Sequence, residues 1–125
     1  MTEADVIAYW RKGSQSELHS AKILCTEGQY SGALFHCHLA VEKALKALYM
    51  EQRRTGAPMT HDLLQIALQL KRPWTEEEKK LFADLTEYAV AARYDDPMWA
   101  EHEATNENVC LWLQRIDLLL STLLS

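Results

Sequence analysis

Glycine and proline are scarce in this chain, at four and three of 125 residues. So few turn formers exclude a collagen-like or low-complexity segment, and 48% hydrophobic content argues for one compact core and against disorder. Cysteine is equally sparse. Cys25, Cys37 and Cys110 are odd in number and lack paired spacing, which argues for reduced thiols and against a disulfide framework or a zinc ribbon. Positive charge is also short: a net charge of −5 and a pI near 5.5 remove the electrostatic footprint of a generic nucleic-acid-coating protein, so any such contact must be local. No apolar run approaches the roughly 18 to 20 residues that a membrane span needs. The start, MTEADVIAYWRK, has no basic region followed by an apolar core. The expected location is cytoplasmic, with no membrane contact.

What the chain does have is helical periodicity. In ALFHCHLAVEKALKALYM (33–50), Leu34, Cys37, Val41, Leu45 and Leu48 recur at three- and four-residue steps, and Ala33, Ala40, Ala44 and Ala47 would let a neighbouring backbone approach. A first helix is expected from a Thr2 cap to about Glu27, with Ile7, Trp10, Leu18, Ala21, Leu24 and Cys25 toward the core, Gly13 and Ser14 as a weak point and Gly28 as its stop. The second runs from Ser31–Gly32 to about Arg53. After the break at Thr55–Pro58, Thr60 is expected to cap a short helix through Leu70. Thr75, with Glu78 completing a capping box, opens a fourth helix to about Ala92, which Arg93-Tyr94-Asp95-Asp96-Pro97 ends. A last helix, from about Glu103 to Leu123, buries Val109, Leu113, Ile116, Leu120 and Leu123. The fold expected is all-α, a single domain over residues 1–125, built as an up-and-down bundle of four long helices plus one short helix.

Chemistry-bearing patterns are few. Neither a glycine-rich phosphate loop nor a GxSxG turn is present. His36 and His38 flank Cys37, but residues two apart on a helix point about 200° apart, which does not suit one shared metal ion. No metal or cofactor is expected. The tryptophans Trp10, Trp74, Trp99 and Trp112 read as core and interface filling.

Three fragments in order, HLAVEKALKAL (38–48), PMTHDL (58–63) and ARY (92–94), resemble the HEPN family of small helical domains, over about Ala4 to Leu120. The resemblance implies a cytoplasmic helical domain that binds nucleotides or RNA and often works as a dimer. In some branches it is a metal-independent ribonuclease toxin paired with a nucleotidyltransferase antitoxin. Those branches use an arginine and a histidine separated by four to six residues, a pair in which histidine moves a proton and arginine holds the phosphate. Arg54 and His61, with six residues between them, match that spacing and are the candidate catalytic pair. His61 could equally serve as a cap or dimer contact at the start of the THDL helix. Arg93 and His102 have eight residues between them, outside the range.

Arg93 and Tyr94 are candidates for nucleotide or RNA binding, the guanidinium on a phosphate and the ring stacked on a base. The alternative is a clasp of Arg93 with Asp95, Asp96 or Glu42. Lys43 and Lys46 could extend a basic strip toward Arg53 and Arg54, or be solvated helix-face charges. Three functions therefore stand open: a nucleotide- or RNA-binding domain with a nucleotidyltransferase partner, a metal-independent ribonuclease, and a structural dimerisation module. A homodimer is expected in the first instance.

Overall fold

The computed structural model describes residues 1–94 and 96–125. Among them the chain forms six helices and no strand: α1 (Glu3–Thr26), α2 (Tyr30–Arg53), α3 (Leu63–Leu68), α4 (Glu76–Arg93), α5 (Pro97–Glu103) and α6 (Asn106–Leu123). The all-α class and the four long helices stand as expected, and two short helices replace one.

Local chemistry sets the ends. Thr2 Oγ1 accepts the Asp5 N–H at 3.1 Å while the Thr2 N–H donates to Asp5 Oδ2 at 2.9 Å, and Thr75 with Glu78 repeats that reciprocal pair at 3.0 and 2.9 Å. Gly28 ends α1 at φ 77°, a left-handed conformation that costs an L side chain energy, so that the Gln29 N–H reaches back to the Leu24 carbonyl at 2.8 Å.

α2 is the axis of the bundle, packed on α1, α4, α6 and α3. Leu34, Cys37, Val41 and Leu45 are fully buried, as are Ala33, Ala40, Ala44 and Ala47; Leu48, expected with them, is only half-buried. Gly13 and Ser14 do not weaken α1. They are where it approaches α2: a side chain at Gly13 would start 3.2 Å from Lys43 Cδ, and the buried Ser14 Oγ donates to the Ala40 carbonyl at 2.6 Å. Phe82 and Leu85 from α4 and Val109, Trp112 and Ile116 from α6 complete the core. Trp74 belongs to it too, its Nε1 donating to the Ala67 carbonyl at 2.8 Å and its ring edge-on to Phe82.

Two boundaries differ from expectation for identifiable reasons. Asp62, not Thr60, caps α3: its Oδ1 accepts the Gln65 N–H at 3.2 Å, whereas the Thr60 hydroxyl accepts the Asp62 N–H in the turn before it. The expected last helix begins at Asn106 and not at about Glu103, and an unexpected short helix, α5, precedes it. Asp96 accepts the Met98 and Trp99 N–H groups with Pro97 in the first turn, so the pair read as a terminator starts α5, and Thr105 then caps α6. An aspartate before a proline ends one helix and can begin the next. α3 rests on α2 and α4, which brings the preceding loop beside both.

Candidate functional site

His38, Glu42 and Lys46 stand four residues apart on α2 and lie one above another on one face. They are 2%, 5% and 8% exposed, in a helix whose other buried residues are almost all apolar. Glu42 is the hub. Its Oε2 accepts from Lys46 Nζ at 3.1 Å and its Oε1 lies 2.8 Å from His61 Nδ1, so the loop before α3 is tied to α2 through a buried carboxylate. A second tie runs from His38 Nε2 to the His61 carbonyl at 2.8 Å. Because a carbonyl only accepts, His38 donates from Nε2, and its buried Nδ1 has no hydrogen-bond partner; Glu42 Oε1, 3.9 Å away, is beyond hydrogen-bond reach. Lys46 also lies 5.7 Å from the centre of the Trp10 ring, a cation–π contact.

Burial pushes the His38 imidazole below its ordinary value of 6.5, opposed by the hydrogen bond to His61 and the Glu42 charge, and aided by His61 and Arg93. The folded chain therefore accepts this proton at lower pH than the unfolded chain does. Stability from this group is fully present above the unfolded value and falls as pH drops below about 6.5, where the unfolded chain binds more protons. Thermal melts between mildly alkaline buffer and pH ~5.5 should show that decline, and His38→Gln, which keeps a donor for the His61 carbonyl without titrating, should flatten it. A slope unchanged in His38→Gln would assign the decline to other groups.

His61 carries a side chain 66% exposed, at the junction of two clefts. One, of about 180 Å³ between α2 and α4, is lined by His38, His61 and Arg93 with Phe35, Thr86 and Val90. The other, of about 410 Å³ and mostly apolar, lies between Val6, Trp10, Lys46, Met50, Pro58 and His61. Beyond Phe35 and Arg93 a third, of about 300 Å³, contains Ser31, Gly32 and His36. His61 and Arg93 thus both line the small central cleft.

The other candidates are placed differently. Arg54, in a left-handed conformation at φ 55° as the cap of α2, binds Glu3 Oε1 through Nε at 2.7 Å and does not line the cleft with His61. Lys43 lays its stem on Gly13 with Nζ 3.9 Å from Glu17 Oε2, an oxygen that also lies 3.4 Å from His36 Nδ1. Lys46 is inside the bundle, paired with Glu42. Tyr94 caps α4 and is highly exposed beside Arg93. Of the three clasps weighed for Arg93, Glu42 serves Lys46 and His61, Asp96 caps α5, and the one with Asp95 lies outside the described residues. His36 and His38 point apart, one to Glu17 and the other to His61, and no cluster of three metal-holding side chains exists among the described residues. The thiol of Cys37 is pushed up to about 12 by burial, with Cys25 adding to it, so it is an unreactive core group.

Sequence reasoning did not identify the set His38, Glu42 and Lys46. The available signal was the repeat of ionisable residues at i, i+4 and i+8 on the face of a helix otherwise spent on the core.

The site is thus a buried carboxylate in contact with an exposed imidazole, beside an arginine-bearing cleft in a helical bundle. The chain belongs to the HEPN family: the family model of the HEPN domain matches residues 7–115. The crystal structure of TT1696 from Thermus thermophilus is similar over 94% of each chain, with a TM-score of 0.80 and 23% identity, a likeness of fold. No curated protein matches. None of the described helices is long and apolar enough to cross a membrane.

Proposed function

We propose that this HEPN domain binds a nucleotide or a short RNA element in the cleft between α2 and α4. The observation that carries the reading is the sharing of that one cleft by Arg93 and His61, with Phe35 and Val90 as apolar lining. Arg93 holds a phosphate, Tyr94 offers an exposed ring for a base, and His61 meets a second phosphate or a ribose hydroxyl. An acidic protein can do this because one local cation suffices for one nucleotide. Lys43, turned toward Gly13 and Glu17 of α1, lines none of these clefts, and Lys46 acts through Glu42. Calorimetric titration with ATP and with a short RNA should lose about tenfold or more in Arg93→Ala and nothing in Lys79→Ala, whose amine pairs with Glu76 at 3.1 Å. Equal losses would indicate nonspecific charge.

A second reading, a metal-independent ribonuclease, draws support from the Glu42–His61 contact, which suits a proton-transferring imidazole. In it the phosphate-holding arginine is Arg54, released from Glu3, or Arg93. Pairing with a nucleotidyltransferase and a toxin role belong to some branches of the family and are proposed for this chain on that basis alone. A homodimer is proposed as well: Met98, Leu111 and Leu118 are exposed apolar groups that a second copy would cover. Light scattering should give twice 14.4 kDa at tens of micromolar, and a monomer mass there would remove the dimer.

A further inference from the structure

We infer that Glu42 and His38 are positioning residues that hold His61 with its proton on Nδ1 and its Nε2 lone pair free for a ligand. The inference rests on reading His61 as a ligand-contacting group, yet its first test needs no ligand. Lysine has donors only, so Lys46 at 3.1 Å fixes one Glu42 oxygen as its acceptor. The other oxygen, 2.8 Å from His61 Nδ1, is then an acceptor on a carboxylate that cannot turn away, and the ring nitrogen facing it must donate. That leaves Nε2 as the nitrogen outside the cluster, on a side chain that is largely exposed.

His38 acts on the same residue from the other side. Its Nε2 proton is committed to the His61 carbonyl at 2.8 Å, which holds the backbone while Glu42 holds the ring. The two imidazoles therefore carry opposite tautomers, Nε2–H for His38 and Nδ1–H for His61. Nothing in a helix-capping role asks for this arrangement. The cap of α3 is Asp62, and the His61 ring turns back into α2 instead. Glutamate at position 42, an expensive group to bury, gains its purpose from the ring it orients.

Glu42→Gln gives a sharp reversal. Lys46 still requires an acceptor and takes the amide oxygen, which turns the amide NH₂ toward His61 Nδ1. A nitrogen that receives a hydrogen bond cannot carry the proton, so the ring must move its proton to Nε2 and lose the free lone pair there. Long-range ¹H–¹⁵N correlation of the labelled full chain in mildly alkaline buffer reads the tautomer of each imidazole directly. The wild type should show His61 protonated on Nδ1 and His38 on Nε2, and Glu42→Gln should show His61 protonated on Nε2. A wild-type His61 protonated on Nε2 would overturn the inference without any variant, and so would a folded Glu42→Gln with His61 unchanged. Titration with ATP and short RNA separates the two readings: the expected tautomers in a protein that binds neither would support the positioning and refute the ligand site. Where binding is present, Glu42→Gln should weaken it by at least severalfold while the melting profile stays cooperative.

Discussion

Lys46→Met should lower the unfolding free energy by about 3–5 kcal/mol, the usual cost of removing one partner from a buried ion pair. The amine and carboxylate are both almost wholly removed from solvent and 3.1 Å apart, so their attraction is poorly screened. Methionine keeps the stem that packs toward Trp10 but leaves the Glu42 charge with His61, which compensates fully only when protonated. A solvated lysine on a helix face would give a loss of a few tenths of a kcal/mol. Urea denaturation distinguishes the two. The double variant Glu42→Gln with Lys46→Met should recover most of the loss, because an amide needs no counter-charge. A single-variant effect below about 1 kcal/mol would return Lys46 to solvent and make its amine available to a phosphate.

RNA incubated with the purified chain should either stay intact or be cut in a manner that persists in EDTA. Cleavage without metal needs a base to take the 2′-hydroxyl proton as that oxygen attacks phosphorus, an acid to protonate the departing 5′-oxygen, and a cation on the phosphate. An Nδ1-protonated His61 is equipped for the first task, and an arginine for the last. His61→Ala should then reduce the rate by about 100-fold or more, the usual contribution of a positioned acid or base. Activity should also fade at both low and high pH as one protonation form is lost. Arg54→Ala and Arg93→Ala decide which guanidinium serves, because Arg54 must leave Glu3 to reach a phosphate. Activity lost in EDTA and restored by magnesium would sink this chemistry, and an unaffected His61→Ala would return that residue to a structural role.

The helices were readable because their signals are local. Thr2 with Asp5, Thr75 with Glu78, and Gly28 act within four residues of themselves, and the Leu34–Leu45 stripe follows the period of the helix that carries it. Asp96 and Pro97 were ambiguous for the same reason: a turn signal does not say whether a new helix follows. The site was less legible, because its contacts join residues far apart in sequence. Lys46 reads as a basic-strip or solvated helix-face charge until α1 and the loop before α3 cover it and Glu42, and Trp10 and His61 are the residues that do so. Arg54 and His61 satisfy a spacing along the chain, whereas Arg93 shares a cleft with His61 from 32 positions away. The resemblance identified the family correctly, but neither it nor the spacing pointed to His38.

The loop from Thr55 to Asp62 is stitched to α2 by two bonds at His61, so the order of this segment and the occupancy of the imidazole are linked equilibria. Opening the loop breaks both bonds, and a ligand held on the ring changes the free energy of that opening. Amide hydrogen exchange near the start of α3 would thus report on events at the cleft, slowing when a ligand sits against His61 and quickening when Glu42 or His38 is altered. A partner that bound the neighbouring apolar cleft, which shares Pro58, Met59 and Thr60 with this loop, would act on the same local equilibrium and so on the occupancy of the α2–α4 cleft.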